Sequence, residues 1–271
     1  MNIFLCKNRE VALKNQPIQS GFTLIELITV IVILSILASI GTGFVVSATE
    51  SYQRTQTRAL LTNTARQALE RMTRQLRIAL PYSVRLILTT TNDKCVEFMP
   101  IAAGGYYLDP VADPDNGVAA TTSVAASPVV VDFGTARFLA IGAMQPSELY
   151  GATAASRANY AGYTEPDLHW SGRDQWQRNS ISQRYFLLDN PQAFCLVGTE
   201  LRFYADVDVE DDAVNVGNSF SIIARDVSGG NPFSLQNGAE NRQMLINISL
   251  DFSSAGESLN YTQGVFIRNV P

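Results

Sequence analysis

One segment near the N-terminus limits what this chain can fold into. Residues 22–48 of the 271-residue sequence are almost wholly apolar, and Glu26 is the only ionisable side chain among them. A helix of about 25 residues extends for roughly 37 Å, which exceeds the hydrocarbon thickness of a bilayer. The segment therefore predicts a membrane-spanning helix. A carboxylate inside it costs on the order of 3 kcal/mol unless it takes a proton or meets a cation.

Two alternatives accompany this prediction. The segment ends near small residues, Ser39, Gly41 and Gly43, which a secretory signal peptidase could accept, although the apolar run is longer than such signals usually have. Glu26 lies one helical turn from the start of the run, so its carboxylate could instead extend to the membrane interface. Against that reading, ionisable groups within membrane segments are usually functional.

The residues around this carboxylate form a recognisable pattern. "GFTLIE" at 21–26, placed between a charged leader and an apolar helix, resembles the class III signal of type IV pilins and pseudopilins. The resemblance implies that a prepilin peptidase removes residues 1–21 by cutting between Gly21 and Phe22, and that the new amine of Phe22 is methylated. It also implies that Glu26 meets the N-terminal amine of a neighbouring subunit in a fibre. A glycine before the cut leaves the backbone open to an enzyme.

Charges and cysteines bear on the orientation of the chain in the membrane. Lys7, Arg9 and Lys14 precede the apolar segment, which places the N-terminus in the cytoplasm, but arginines after the segment favour the opposite. Removal of the leader would leave Cys95 and Cys195, the number expected for one disulfide in an oxidising compartment. Two separate buried thiols are the alternative. We expect an inner-membrane protein with a periplasmic C-terminal domain, later located in a pilus at the cell surface.

The helix is predicted to continue beyond the membrane to residue 80, where Pro81 ends it. Residues 49–80 repeat apolar side chains at three- and four-residue intervals, as an amphipathic helix does. They carry two glutamates and six arginines, a net charge of +4, whereas the chain from Pro81 onward carries −10. The arginines form either a solvated face or a face for acidic surfaces of neighbouring subunits. They are Arg54, Arg58, Arg66, Arg71, Arg74 and Arg77.

From residue 84 onward the apolar pattern has a period of two, which predicts β-strands. The clearest strand is "LINISLDF" (245–252), and "RYFLLDNPQAFCLVGTELRFYA" (184–205) predicts a three-stranded antiparallel meander. Further candidates are "KCVEFMPI", "VVVDF", "FSIIAR" and "GVFIR". Residues 81–271 are therefore predicted to form one β-rich domain. The expected fold class is α+β, with a long N-terminal helix packed on an antiparallel sheet.

Two segments, 109–128 and 144–180, lack this periodicity and are predicted to be long loops, which in compact domains are often functional. The second loop contains both tryptophans, Trp170 and Trp176. Exposed aromatic rings could bind a partner subunit or a sugar. The alternative is that they cover the domain's own core, since tryptophan is usually well buried.

The sequence offers little support for catalysis or for a metal. The acidic stretches "DVDVEDD" (206–212) and "DPDNG" (113–117) have oxygen ligands suited to calcium, but neither matches an EF-hand loop, and solvated acidic turns explain both. There is one histidine, His169, and no nucleophile elbow, phosphate loop or metal-spaced His/Cys cluster. We expect no catalytic residue, no metal, no cofactor and no nucleic-acid partner.

Two further stretches suggest a narrower group. "RQALERMTRQLRIALPYSVRL" (66–86) and "RYFLLDNPQAFCLV" (184–197) are similar to the large minor pilins of the mannose-sensitive haemagglutinin (MSHA) pilus, and also to the larger minor pseudopilins of type II secretion. Removal of residues 1–21 from 271 leaves 250, a length that favours a low-copy position near a fibre tip. Expected partners are other pilin subunits through the N-terminal helix, prepilin peptidase and an inner-membrane assembly platform. A type II secretion pseudopilin, a tip adhesin and an anchored periplasmic enzyme are the alternatives.

Overall fold

A computed structural model describes residues 21–128, 134–237 and 244–267. The chain divides into two compact units, Met1–Gln53 and Arg54–Pro271. Leader residues 1–20 and the strand predicted at "VVVDF" (129–133) lie outside the described residues.

The first unit contains the apolar part of a single long helix, α1 (Leu24–Leu76). This helix is long and apolar enough to cross a membrane, by its length and composition. Hydroxyl groups within the apolar part donate to carbonyl oxygens of their own helix: Thr29 to Glu26 at 2.9 Å and Ser35 to Ile31 at 2.7 Å. These donors are therefore satisfied without water, as a lipid environment requires. The helix continues without a break through Gly41 and Gly43.

Helix α1 is shorter at both ends than the predicted range of 22–80. At its C-terminal end the chain leaves the helix to pair with the segment around Pro100: the amide of Leu80 donates to the carbonyl of Met99, and Ala79 forms a β-bridge with Pro100. Leu80 has ψ 124°, an extended conformation, as expected for a residue that precedes a proline. Pro81 begins a short 3-10 turn, Pro81–Ser83, and the helix has already ended before it.

The second unit is rich in β-structure. In chain order its strands are β1 (Arg85–Thr89), β2 (Lys94–Phe98), β3 (Ile101–Tyr106), β4 (Ser123–Ala125), β5 (Phe138–Ile141), β6 (Arg157–Thr164), β7 (Asp167–Ser171), β8 (Arg184–Leu188), β9 (Gln192–Val197), β10 (Glu200–Tyr204), β11 (Ala213–Val214), β12 (Ser221–Arg225), β13 (Val227–Ser228), β14 (Phe233–Asn237), β15 (Met244–Ser254) and β16 (Glu257–Ile267). They form three sheets, in which the β1–β11 pair is parallel and the other pairs are antiparallel.

Two of the sheets pack with the second half of α1. Sheet I has the order β11-β1-β2-β9-β10-β12, and in sheet II the central strand β15 pairs with β13, β14 and β16. One side of the helix is buried against both sheets, through Leu61, Ala65, Ala68, Leu69, Met72 and Leu76. Inward-facing residues of β15 complete this core: Ile246, Ile248, Leu250 and Phe252 are all fully buried. The predicted α+β fold, a long helix packed on antiparallel sheet, is confirmed.

Sheet III is an insertion within sheet I. Its order is β3-β8-β5-β6-β7-β4, and all its strands lie in the chain between β2 and β9, which are hydrogen-bonded neighbours in sheet I. It has a core of its own, built from residues such as Leu139, Leu168 and Leu187. A smaller apolar cluster, which includes Leu80 and Met99, lies where the insertion meets the rest of the unit.

Three predictions of local structure are wrong. The stretch 184–205 forms three strands but not a meander, because β8 pairs with β3 and β5 in sheet III whereas β9 and β10 pair in sheet I. The chain crosses between the sheets at residues 189–191, where the amide of Asp189 donates to the carbonyl of Pro100. The predicted loop 144–180 contains the β6–β7 hairpin, and the predicted loop 109–128 contains β4.

Candidate assembly site

The first turn of α1 fixes the position of Glu26. Thr23 precedes the helix, and its Oγ1 accepts a hydrogen bond from the amide of Glu26 at 3.3 Å. The carbonyl oxygen of Thr23 accepts from the amide of Leu27 at 3.2 Å. These two bonds make Thr23 the N-cap and Glu26 the third helical residue, the Thr-x-x-Glu spacing of a capping box. The same residues that form the peptidase motif therefore also define where the helix starts.

The carboxylate of Glu26 is available to a cation from outside. Its side chain is exposed, and among the described residues no hydrogen bond or ion pair involves its carboxylate. The next ionisable residue along the helix is Glu50, another carboxylate, so the apolar segment contains no basic side chain that could neutralise Glu26. A negative charge in the first helical turn is favoured by the helix dipole, but burial in lipid would still require a proton or a cation.

The predicted cleavage point lies directly before this turn. Phe22 is 85% exposed, and a Cβ added to Gly21 would meet no atom within 4 Å. Both residues precede the first helical residue, Leu24, so the bond between them is not part of the helix. A peptidase that needs an extended, accessible backbone can therefore reach it without unwinding α1.

Two of the six arginines in residues 49–80 bond to side chains of the β-strands. Arg58 forms an ion pair with Glu257 at 2.7 Å, and Arg71 donates to Ser221 at 3.2 Å. Within the described ranges, Arg54, Arg66 and Arg77 form no ion pair. The side chains of Arg54, Arg66, Arg74 and Arg77 are exposed, and Arg74 pairs with Glu70 of the same helix, so most of these arginines form a solvated face.

Cys95 and Cys195 form a disulfide. They lie directly opposite each other on the neighbouring strands β2 and β9, and both are buried. The bond joins the two strands from which the insertion leaves and returns. The sequence indicated this disulfide only through the number of cysteines. The pairing of β2 with β9 that places the two cysteines opposite each other joins strands separated in the chain by the whole of sheet III, so a local pattern does not show it.

The two tryptophans do not form an exposed surface, and the prediction of a partner or ligand surface there is wrong. Trp170 and Trp176 are 3% and 1% exposed, and their ring centroids are 5.5 Å apart in an edge-to-face arrangement. The Nε1–H of Trp170 donates to the carbonyl of Arg173 at 3.0 Å. Both rings belong to the core of sheet III. Burial of these large side chains therefore stabilises the insertion.

The two acidic stretches have structural explanations. Asp113 accepts hydrogen bonds from the side chain of Asn179 and from the amide of Asp115, so its carboxylate closes a turn. In the second stretch the valines Val207 and Val209 are buried while the acidic residues are exposed. Over the part of the chain that the structure describes, no group of three or more His, Cys, Asp or Glu side chains is arranged to hold a metal ion.

Sequence reasoning missed a buried ion pair at the base of the insertion. Glu97 on β2 is fully buried and accepts a hydrogen bond from Arg85 at 2.5 Å. The guanidinium of Arg85 also lies 3.8 Å from the ring centroid of Tyr150. Burial raises the pKa of Glu97 to about 7, and the nearby charge of Arg85 offsets part of that effect. The signal in the sequence was a glutamate inside the otherwise apolar run "CVEFM" (95–99).

Comparison with known proteins gives one match. Residues 17–42 match the family described as "Prokaryotic N-terminal methylation motif", a range that contains the cleavage point, the Thr23 cap and Glu26. None of the curated proteins and none of the solved structures compared with the chain matches it. The matched segment is a type IV pilin-like prepilin motif. It implies processing by prepilin peptidase and supports anchoring in a membrane through the N-terminal helix and a pilin or pseudopilin role.

Proposed function

We propose that this protein is a minor pilin of a type IV pilus of the MSHA type. In this proposal prepilin peptidase cuts between Gly21 and Phe22, the amine of Phe22 is methylated, and α1 holds the subunit in the inner membrane with its C-terminal unit in the periplasm. The subunit then enters or initiates the fibre on the assembly platform. Its role is structural and supports pilus biogenesis and adhesion, and it performs no catalysis.

The observation that carries the proposal is the placement of Glu26. It is the one ionisable side chain between residues 22 and 48, it is exposed, and no described residue neutralises it. Cleavage after Gly21 creates a free amine, a cation, at the same end of the helix in every subunit. Pairing between this amine and Glu26 of a neighbour removes two uncompensated charges from an apolar environment, which favours transfer of the helix from lipid to a helical bundle.

The test separates processing from assembly. Gly21→Leu introduces a side chain at the cleavage point and should leave residues 1–21 attached to the chain. Glu26→Ala should be shortened normally, yet its recovery in sheared fibres should fall at least about tenfold, the effect of roughly 1.4 kcal/mol. Glu50→Ala is the matched control, because Glu50 is an exposed carboxylate on the same helix outside the apolar segment.

Normal incorporation of Glu26→Ala would contradict the pairing role. Loss of incorporation in both Glu26→Ala and Glu50→Ala would assign the effect to general destabilisation of the helix. Immunoblots of membranes and of sheared fibres distinguish these results.

A minor pseudopilin of type II secretion is the second candidate, favoured by the same N-terminal motif and by the similarity of residues 66–86 and 184–197 noted above. Deletion of the protein distinguishes the two machines. A pilin deletion removes surface fibres, whereas a pseudopilin deletion leaves secreted enzymes in the periplasm. The burial of Trp170 and Trp176 removes the residues on which a tip adhesin was predicted, so that function is not proposed.

A further inference from the structure

Strand β16 is a long outer strand of sheet II. It pairs with β15 at 11 consecutive positions, from Met244 opposite Ile267 to Ser254 opposite Glu257, and no bulge interrupts the register. β13 and β14 occupy the other edge of β15. Within residues 21–128, 134–237 and 244–267, the second edge of β16 pairs with no strand.

An unpaired edge of this kind is usually protected. Natural sheets shorten their outer strands, interrupt them with bulges, or place charges and proline on them, because exposed backbone groups pair with other chains. From Ser258 to Ile267, β16 contains neither a charged residue nor a proline. It is also about twice the mean strand length of 5–6 residues.

The outer strands of the other two sheets do show such protection. In sheet I, β11 has two residues, and β12 has five, with a register shift against β10 and an arginine at its end. In sheet III, β4 has three residues, and β3 is interrupted by a register shift near its start. β16 therefore differs from the outer strands of the same unit.

The core beneath this edge is incompletely covered. On β15 the four inward side chains are fully buried, and so are Val265 and Ile267 at the end of β16. Nearer the start of β16, Leu259 and Tyr261 are only partly buried although they pack against the same core. An added strand beside β16 would bring inward side chains next to these two residues. It would also satisfy the row of unpaired backbone groups, which only an extended backbone can match.

We propose that the outer edge of β16 receives an extended strand from a neighbouring, different subunit of the fibre. The inference rests on the proposed function, since it needs an assembled fibre. The incoming strand alternates apolar residues, on the side of Leu259 and Tyr261, with small polar residues on the side of Asn260 and Thr262. A second copy of this chain is the less suitable occupant, because the unit Arg54–Pro271 carries a net charge of −5 and two copies of it would repel each other.

Gln263 offers a selective test. It belongs to the inward row by its two-residue spacing from Tyr261 and Val265, but its side chain is exposed, so a lysine there remains solvated in the unassembled chain. An inward-facing charge on an outer strand blocks the addition of another strand. Gln236→Lys is the matched control, since Gln236 is an exposed glutamine of the same sheet, on β14.

Full-length chains carrying Gln263→Lys or Gln236→Lys are compared with wild type for thermal unfolding in detergent and for recovery in sheared fibres. We expect unchanged unfolding midpoints for both, a loss of at least about tenfold in fibre recovery for Gln263→Lys, and normal recovery for Gln236→Lys. Hydrogen exchange supplies a second readout. The amides of β16 that point away from β15 should exchange more slowly in fibres than in the isolated full-length chain, whereas those that face β15 are protected in both.

The outcomes that overturn the proposal differ from those that overturn the proposed function. Normal recovery of Gln263→Lys, or equal exchange of these outward β16 amides in both states, would overturn the strand addition while the pilin role stands. Protection, in the isolated chain, of the β16 amides that point away from β15 would assign the outer edge to this chain itself if it is monomeric, or to a second copy if it dimerises, and either result overturns the proposal. Absence of the wild-type chain from the fibres would overturn the proposed function.

Discussion

Glu97 illustrates how burial and charge compete at a single residue. Its carboxylate lies fully buried on β2 beside Arg85, which donates at 2.5 Å and also donates to the carbonyl of Asp211 at 2.8 Å. Burial dominates, and the pKa rises from 4.5 to about 7, with a smaller contribution in the same direction from the charge of Asp211. The folded state therefore holds a proton on Glu97 at a pH where the unfolded chain does not.

This shift predicts a pH dependence of stability. Because the folded pKa is raised, the contribution of Glu97 is fully present below pH 4.5 and is lost as the pH rises through about 7. Relative to Glu97→Gln, the wild-type chain should lose on the order of 3 kcal/mol of unfolding free energy between pH 5 and pH 8. Urea unfolding of both full-length chains at several pH values measures the difference. Parallel pH profiles would show that Glu97 titrates normally.

At the same scale, the sequence predicted some residues better than others. Glu26 stands out because a charge in an apolar run is visible without any tertiary information. The sequence did not show whether the tryptophans are exposed or buried. They lie in a segment without clear periodicity, where an aromatic residue is equally compatible with a binding surface and with a core. Their burial depends on sheet III, which closes over Trp170 and Trp176 only after distant strands have paired.

Among the elements, the buried face of helix α1 in the second unit predicts the effect of mutation. Met72 is fully buried between the helix and the sheets, so Met72→Ala should lower the free energy of unfolding by about 2–5 kcal/mol through lost contacts and a cavity. Gln67→Ala shortens an exposed side chain on the same helix and should change it by less than about 0.5 kcal/mol. Chemical unfolding of the two variants compares them, and similar losses would show that the helix does not pack as described.

Elements with a regular period were predictable, but their partners were not. The run 245–252 alternates so strictly that β15 was identified from local pattern alone. The β6–β7 hairpin was missed because its register shifts between Tyr160 and Gly162, and Gly162 has φ 118°, so the alternation changes phase within the strand. The assignment of β8 and β9 to different sheets depends on Pro100 and other residues far away in the chain, which a local pattern does not contain.

At the scale of the whole molecule, the disulfide joins the two strands, β2 and β9, between which the large insertion lies. Cys95 and Cys195 are 100 residues apart in sequence, and their bond restricts the unfolded chain as well as joining β2 to β9. Replacing both by serine should lower the free energy of unfolding by about 2–5 kcal/mol. Wild-type chain unfolded in the presence of a reductant should behave like the double variant. Equal urea midpoints for oxidised wild type and the variant would show that the bond adds no stability.

The position of the insertion has a practical consequence. Phe98 and Gln192 face each other on paired strands, so the chain leaves and re-enters sheet I at points separated by one strand spacing, about 5 Å. A foreign domain whose termini lie equally close could replace residues 100–190 while the helix and its packing core keep their sequence. The paired ends of β2 and β9 are therefore a graft point, at which a foreign segment such as an epitope or a reporter enzyme can replace the insertion.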